Sequence, residues 1–167
     1  MDERRLLGLC RQENYRGSGK GGQARNKTSN AVRLTLDDYQ ATATQLRSKE
    51  GNLLQCLRKL RLMIAIDLKW SGQGEDSIPQ RKILPENKIF SELKRIGLAV
   101  NPSNKNYALL AGLLSDALIA SDASLKSISA ATGLSVTALS KKIHEIPELY
   151  RNFQRLYRKG AATTVEE

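Results

Sequence analysis

The N-terminal part of the chain alternates hydrophobic and polar residues with a period of two. Across Ala31–Leu36, the side chains of Val32, Leu34 and Leu36 fall on one face, which is typical of a strand with one buried side. After Ser48, a candidate N-cap, the period lengthens to that of an amphipathic helix. The elements predicted here are a short helix within 6–16 leading to a strand at 12–16, strands at 31–36 and 41–46, and a helix that follows Ser48 and ends near Lys69.

The second half of the chain shows only helical periodicity. Residues 71–85 separate the two halves, because this stretch is rich in turn-forming residues and contains Pro79 and Pro85. Helices are predicted beyond it at 86–96, 107–118, 125–132, 135–145 and 147–159. The sequence therefore predicts an α+β protein with a sheet-plus-helix domain at 1–70, a linker at 71–85 and an all-α domain at 86–167.

The charge of the chain points to a polyanionic partner. Lys and Arg number 27 against 17 Asp and Glu, which gives a formal net charge of +10. Residues 1–70 hold 14 basic and 7 acidic residues, whereas 71–167 hold 13 and 10. A phosphate-facing surface is therefore expected mainly in the first part. A basic surface that is merely solvated is the alternative, and only motifs can decide between the two.

Other features of the composition disfavour several classes of protein. Cys10 and Cys56 lack the spacing of a metal knuckle and are too few for a disulfide framework, so both are predicted to be small core residues in a reducing compartment. No apolar run approaches the roughly 20 residues of a membrane helix. Aromatic residues make up 5% of the chain, which disfavours a base-stacking platform. We expect a cytoplasmic monomer that uses no metal and no cofactor and binds no membrane.

One segment fits no periodic pattern. Four of the six residues from Gly17 to Gly22 are glycine, a composition that sustains neither helix nor sheet and permits unusual backbone dihedrals. The segment belongs to the string R-G-S-G-K-G-G-Q-A-R-N-K-T-S-N-A-V-R, which occupies residues 16–33. Arg47-Ser48 and Asn52 follow it. We expect an exposed loop before the strand at 31–36.

This string resembles the catalytic segment of class I peptide release factors and their ribosome-rescue relatives. The shared elements are the S-G-x-G-G-Q core, Asn26-Lys27-Thr28, Ala31-Val32-Arg33 and an R-S-x-x-x-N helix start, and the resemblance covers residues 10–66. A bare G-G-Q occurs by chance, but here the shared elements keep their order along the chain. The departures from the family pattern are at Lys20, Ala24 and Arg25, the last standing where an aliphatic residue usually packs.

The resemblance implies hydrolysis of peptidyl-tRNA in the peptidyl transferase centre, with large-subunit ribosomal RNA and peptidyl-tRNA as partners. Gly21 and Gly22 would let the backbone approach the ester closely, and the backbone amide of Gln23 would donate to charge on the reacting oxygen. The Gln23 carboxamide itself cannot serve as a general base near pH 7. The residues predicted to contact RNA are Arg16, Lys20, Arg25, Lys27, Arg33 and Arg47, with Lys141, Arg151, Arg155 and Arg158 in the helical domain.

The helical domain is expected to anchor the protein on the ribosome or tRNA. We expect codon-independent action, since few residues precede Gly17 and the chain ends in acidic rather than basic residues. Residues 125–143 resemble a helix-turn-helix unit, which would place Ser135, Val136, Thr137, Ser140 and Lys141 on a recognition helix. An ordinary helical hairpin, with Gly133 as C-cap and Ser135 as N-cap, explains the same residues.

Three further alternatives stay open at this point. The basic stripe has two possible functions: it binds RNA, or it is a solvated helix face. It consists of Arg151, Arg155, Arg158 and Lys159. For the chain as a whole, there are two alternatives to peptide release. One is a nucleic-acid-binding regulator that uses the helix-turn-helix, and the other is a non-catalytic RNA-binding or ribosome-binding protein. His144 is expected to be a surface or packing residue rather than a ligand.

Overall fold

The computed structural model describes residues 3–15, 30–67 and 85–163, with side chains up to residue 158. Within these ranges the protein has three strands and seven helices, so the predicted α+β class is confirmed. The elements are α1 (Glu3–Leu9), β1 (Arg11–Tyr15), β2 (Ala31–Leu36), β3 (Tyr39–Ala43), α2 (Lys49–Ile66), α3 (Glu86–Ile96), α4 (Tyr107–Ala120), α5 (Leu125–Thr132), α6 (Val136–Glu145) and α7 (Pro147–Thr163).

The chain divides into two compact units. Of the described residues, 3–15 and 30–64 belong to the first unit, and 65–67 and 85–163 belong to the second. The predicted linker at 71–85 lies outside the described residues except for Pro85. The predicted domain limits at 70 and 86 therefore stay predictions.

The first unit is a three-stranded antiparallel sheet in the order β1-β2-β3. Val32, Leu34 and Leu36 of β2 point to one face, as their spacing predicts, and are at most 7% exposed. α1 and α2 contribute to the same core. Its buried residues are Leu6, Val32, Leu34, Leu36, Tyr39, Ala41, Ala43, Cys56, Leu57 and Leu60.

The outer strands of the sheet differ from their predicted positions. β3 covers Tyr39–Ala43 rather than 41–46, because the two-residue turn Asp37-Asp38 places Tyr39 directly opposite Leu36. Asp37 has a φ of 48°, which is the left-handed region that tight hairpins require and that Asp tolerates. β1 begins at Arg11, one residue before its predicted start, and its predicted end at Arg16 lies outside the described residues.

The second unit is built around α4, whose buried stretch is apolar except for Ser115 and Asp116. Every residue of α4 from Leu110 to Leu118 is buried. α3 and α7 pack against it, α5 contacts both α3 and α4, and α6 packs against α5 and α7. A helix with so few polar residues lies at the centre of its unit, since exposing any side would leave hydrophobic surface in water. The buried Ser115 hydroxyl donates to the Ile66 carbonyl at 3.1 Å.

The helix limits in the second unit follow from residues at their ends. α3 begins after Pro85 and ends at Gly97, whose N–H donates to the Leu93 carbonyl at 2.9 Å. α5 ends at Gly133, which adopts a left-handed φ of 75°. Ser135 caps α6, accepting a hydrogen bond from the Ala138 amide at 3.2 Å. These limits agree with the sequence prediction.

α4 extends two residues beyond the predicted limit at 118, to Ala120. Among the described residues, no single helix has both the length and the hydropathy to cross a membrane. α4 and α5 meet that criterion only when they are taken together, across a break where the axis turns by 115°.

Candidate functional site

The predicted catalytic residues lie outside the part of the chain that the structure describes. These residues are Gly21, Gly22 and Gln23, together with the predicted RNA contacts Arg16, Lys20, Arg25 and Lys27. The described residues on either side are the end of β1 and Asn30, which precedes β2. Tyr15 pairs with Ala31 across the two strands. The sheet therefore brings the two ends of the segment 16–29 together on neighbouring strands.

A buried amide fixes the second of these ends. Asn52, on α2, is 0% exposed. Its Nδ2 donates to the carbonyl of Asn30 at 2.7 Å and to the carbonyl of Leu46 at 2.9 Å, and its Oδ1 accepts from the Leu46 amide at 3.0 Å. Both amide protons and the side-chain oxygen are thus used in hydrogen bonds. Asn52 therefore ties the residue before β2 and the chain after β3 to the same helix.

Two further hydrogen bonds hold Asn30 and the start of α2. Asn30 Nδ2 donates to the carbonyl of Arg47 at 2.6 Å. Ser48 caps α2, as predicted, because its Oγ accepts from the Gly51 amide at 3.0 Å. A Cβ at Gly51 would lie 2.7 Å from Leu46 Cδ1 and 2.8 Å from Ser48 Oγ, so any larger residue would push both side chains aside. The R-S-x-x-x-N pattern thus encodes a compact hydrogen-bonded turn.

Arg33 lies on the β1–β2 hairpin, two residues into β2. Its guanidinium lies 3.3 Å from Glu13, its cross-strand neighbour, and 5.2 Å from the centroid of the Tyr15 ring. The buried Nε has no hydrogen-bond partner among the described residues. Arg33 is therefore half-buried and ion-paired, whereas Arg47, another predicted RNA contact, is exposed. Contact of either residue with RNA stays a prediction.

The two cysteines pack within the first unit as free thiols. Cys56 is 0% exposed, and its Sγ lies 3.1 Å from the carbonyl of Val32 and 3.6 Å from that of Ala41. Burial raises the pKa of the Cys56 thiol, which opposes formation of the reactive thiolate. Cys10 is half-buried and its pKa is also raised by burial. Neither thiol has the environment of a nucleophile.

In the second unit, the structure places the predicted recognition residues on one side of α6. Val136, Thr137 and Lys141 are exposed, and Ser140 is half-buried. His144 follows on the same side; its Nδ1 lies 2.8 Å from the Ser140 carbonyl, and its ring packs on Tyr150 with centroids 4.4 Å apart. His144 is therefore a surface packing residue in this structure.

The predicted basic stripe on α7 is exposed over its described part. Arg151, Arg155 and Arg158 recur at spacings of three or four, so they share one side of the helix. Arg151 lies 3.6 Å from Glu148, and Arg155 donates to Asn152 Oδ1 at 3.3 Å. The side chain of Lys159 lies outside the described residues. Arg158 alone of the three forms no ion pair or side-chain hydrogen bond with a described residue.

The hydrogen bonds of Asn52 to the backbone were not predicted, although Asn52 belongs to the R-S-x-x-x-N pattern. The available signal was a polar residue four positions after a helix N-cap, on the helix that covers the sheet. Comparison with protein-family models, curated proteins and solved structures finds no match for this chain. The functional interpretation therefore rests on the residues of the chain itself.

Proposed function

We propose that this protein promotes codon-independent hydrolysis of peptidyl-tRNA on the ribosome, in the cytoplasm, through the segment Gly21-Gly22-Gln23. The observation that carries the proposal is the ordered string from Arg16 to Arg33, with its S-G-x-G-G-Q core. The position of that string supports it. The string starts where β1 ends and finishes in β2, and the flanking residues Tyr15 and Ala31 are paired.

The chemistry requires little from the protein besides positioning. Water has to attack an ester carbonyl in a cavity of ribosomal RNA, and only a thin segment of backbone can enter it. The backbone amide of Gln23 would then stabilise the charge that develops on the reacting oxygen. The two thiols of the first unit are consistent with this positioning role, since burial raises the pKa of both.

The hydrogen bonds of Asn30 and Asn52 would attach the proposed catalytic segment rigidly to the first unit. A catalytic loop misplaced by about 1 Å can lose most of its rate advantage, so its ends need fixed anchors. Asn52 is such an anchor, because it holds the Asn30 carbonyl at 2.7 Å from inside the core. The pairing of Tyr15 with Ala31 anchors the other end.

Release of a labelled peptide from stalled ribosome complexes tests the proposal. We expect the full chain to release peptide and Gly22→Ala to slow release by at least about 100-fold, while ribosome binding is retained. Gly8→Ala, on α1, is the matched control and should stay near the wild-type rate, because an added Cβ there meets nothing within 4 Å. Undiminished release by Gly22→Ala would refute the proposal, as would the absence of release by the wild-type chain.

A second pair of variants separates the amide of Gln23 from its side chain. Gln23→Ala keeps the backbone N–H, whereas Gln23→Pro removes it. If the amide carries the chemistry, Gln23→Ala should retain measurable release and Gln23→Pro should lose it. If both variants bind ribosomes as the wild type does and no form of the protein releases peptide, a non-catalytic ribosome-binding function is favoured instead.

A further inference from the structure

The first two helices after α4 form a compact helix-turn-helix. α5 and α6 are joined by the three residues Gly133, Leu134 and Ser135. Buried Ile128, Thr132, Leu139 and Ile143 hold the pair on the rest of the second unit. The Thr132 hydroxyl donates to the Ile128 carbonyl at 2.6 Å, and the same oxygen accepts from the Leu134 amide at 3.2 Å. The turn is therefore fixed from inside, and one side of α6 faces outward.

The surface of α5 and α6 carries exposed lysines that a polyanion would match, between exposed Asp122 before α5 and exposed Glu145 at the end of α6. No acidic residue occurs between Ser124 and His144, whereas Lys126, Lys141 and Lys142 do. Lys142 is used internally, with its Nζ 2.8 Å from Glu145 and 3.2 Å from the Val100 carbonyl. Lys126 and Lys141 are exposed and form no ion pair with any residue that the structure describes. They are therefore available to phosphate or to base edges.

We propose that α6 reads duplex DNA, inserting its exposed side into the major groove. The proposal goes beyond peptide release and does not depend on it, because it uses only the second unit. In this assignment Thr137 and Lys141 face base edges, and Val136 faces a thymine methyl group. Lys126, at the start of α5, contacts a backbone phosphate, as the first helix of such a pair does when it crosses the backbone.

Two physical features favour DNA over RNA as the duplex. A helix with its side chains is about 10–12 Å wide and fits the B-form major groove of about 12 Å, whereas the A-form major groove is too narrow to be read. Val136, at the start of α6, is 40% exposed, and contact of its apolar side chain with water is unfavourable. Thymine carries a methyl group that such a side chain can bury, and uracil lacks it.

Selection from random duplex DNA of about 20 base pairs, with the full chain as bait, tests the proposal first. We expect an enriched sequence that binds at least about tenfold tighter than its shuffled counterpart. Lys141→Ala should weaken that binding at least about fivefold. Lys88→Ala, which removes the same charge from an exposed position on α3, should leave it within about twofold and is the matched control.

The enriched site then allows a test of the methyl contact. Replacing its thymines by deoxyuridine removes only methyl groups, and we expect wild-type affinity to fall about fourfold for one buried methyl. Val136→Ala should bind the two probes equally. A duplex RNA of the same sequence should bind no tighter than shuffled DNA. The proposal is overturned by selection without enrichment, by equal or tighter binding of the RNA duplex, or by Lys141→Ala binding as the wild type does.

Discussion

In the first unit one buried amide side chain holds two separate segments of the chain, whereas the second unit is packed around α4, most of whose buried residues are apolar. Asn52 is 0% exposed and connects three backbone groups from two segments of the chain. The corresponding place in the second unit is held by α4, where Leu110, Leu114 and Leu118 are all 0% exposed. Both units combine apolar burial with buried hydrogen bonds, but Asn52 bonds to three backbone groups, whereas Ser115 of α4 donates to one, the Ile66 carbonyl.

Apolar packing and buried hydrogen bonds differ in how precisely they fix the backbone. Apolar burial is non-directional, so most of the packing around α4 fixes no particular backbone group. The buried hydroxyls of Ser115 and Thr132 are exceptions, since they bond to backbone groups of Ile66, Ile128 and Leu134. Buried hydrogen bonds are directional and costly to leave unmade, so Asn52 fixes one particular backbone carbonyl in place. In the first unit this directional interaction lies next to the proposed catalytic segment, since it holds the carbonyl of Asn30.

The largest expected effect is on the apolar centre of the second unit. Leu114→Ala should lower the free energy of unfolding of that unit by about 2–5 kcal/mol, since it leaves a cavity among fully buried side chains. Hydrogen exchange resolved along the chain measures it. Amides of 107–120 should exchange faster, while those of β2 and β3 should change little. Equal acceleration in both units would show that they unfold together and would break the comparison.

The next effect contrasts two asparagines. Asn52→Ala should cost about 1–3 kcal/mol, because it leaves the Leu46 and Asn30 backbone groups without their partner. Asn152→Ala, in the second unit, should cost less than about 1 kcal/mol, because the side chain is half-buried and its bond to the Ile66 carbonyl is long, at 3.4 Å. Urea unfolding of both variants measures the difference.

Peptide release separates the positioning function of Asn52 from its effect on stability. At a temperature where Asn52→Ala is fully folded, its release rate on saturated ribosomes should fall while its affinity for ribosomes stays close to wild type. Asn152→Ala should change neither. If Asn52→Ala releases peptide at the wild-type rate, the amide stabilises the fold and does not position the loop.

Most of the fold follows from local patterns in the sequence. The limits of α3 are set by Pro85 and Gly97, and those of α5 and α6 by Gly133 and Ser135, all of which act within one turn of a helix. The position of β3 could not be predicted in the same way. Segments 39–43 and 41–46 both alternate, and the choice between them depends on how the turn at Asp37 pairs Tyr39 with Leu36.

The hydrogen bonds at the candidate site could not be predicted from local sequence patterns. The resemblance identifies the string from Arg16 to Arg33, but nothing in that string indicates what holds its ends. The anchor is Asn52, which is 22 positions from Asn30 in the sequence. A buried amide that bridges distant segments leaves no periodic signature, because its partners are backbone groups of any residue type.

The smallest effect concerns a feature that the two units share. Ser48 and Ser135 each accept a hydrogen bond from the backbone three residues on, at 3.0 and 3.2 Å. Ser48→Ala and Ser135→Ala should therefore each cost about 1 kcal/mol, and the Gly variants only a few tenths, as urea unfolding can measure. Because the caps are chemically alike, a much larger cost at Ser48 would mean that the cap also supports the neighbouring contacts of Asn30 and Asn52. The directional network of the first unit would then extend from the core to the helix end, which would sharpen its contrast with the second unit.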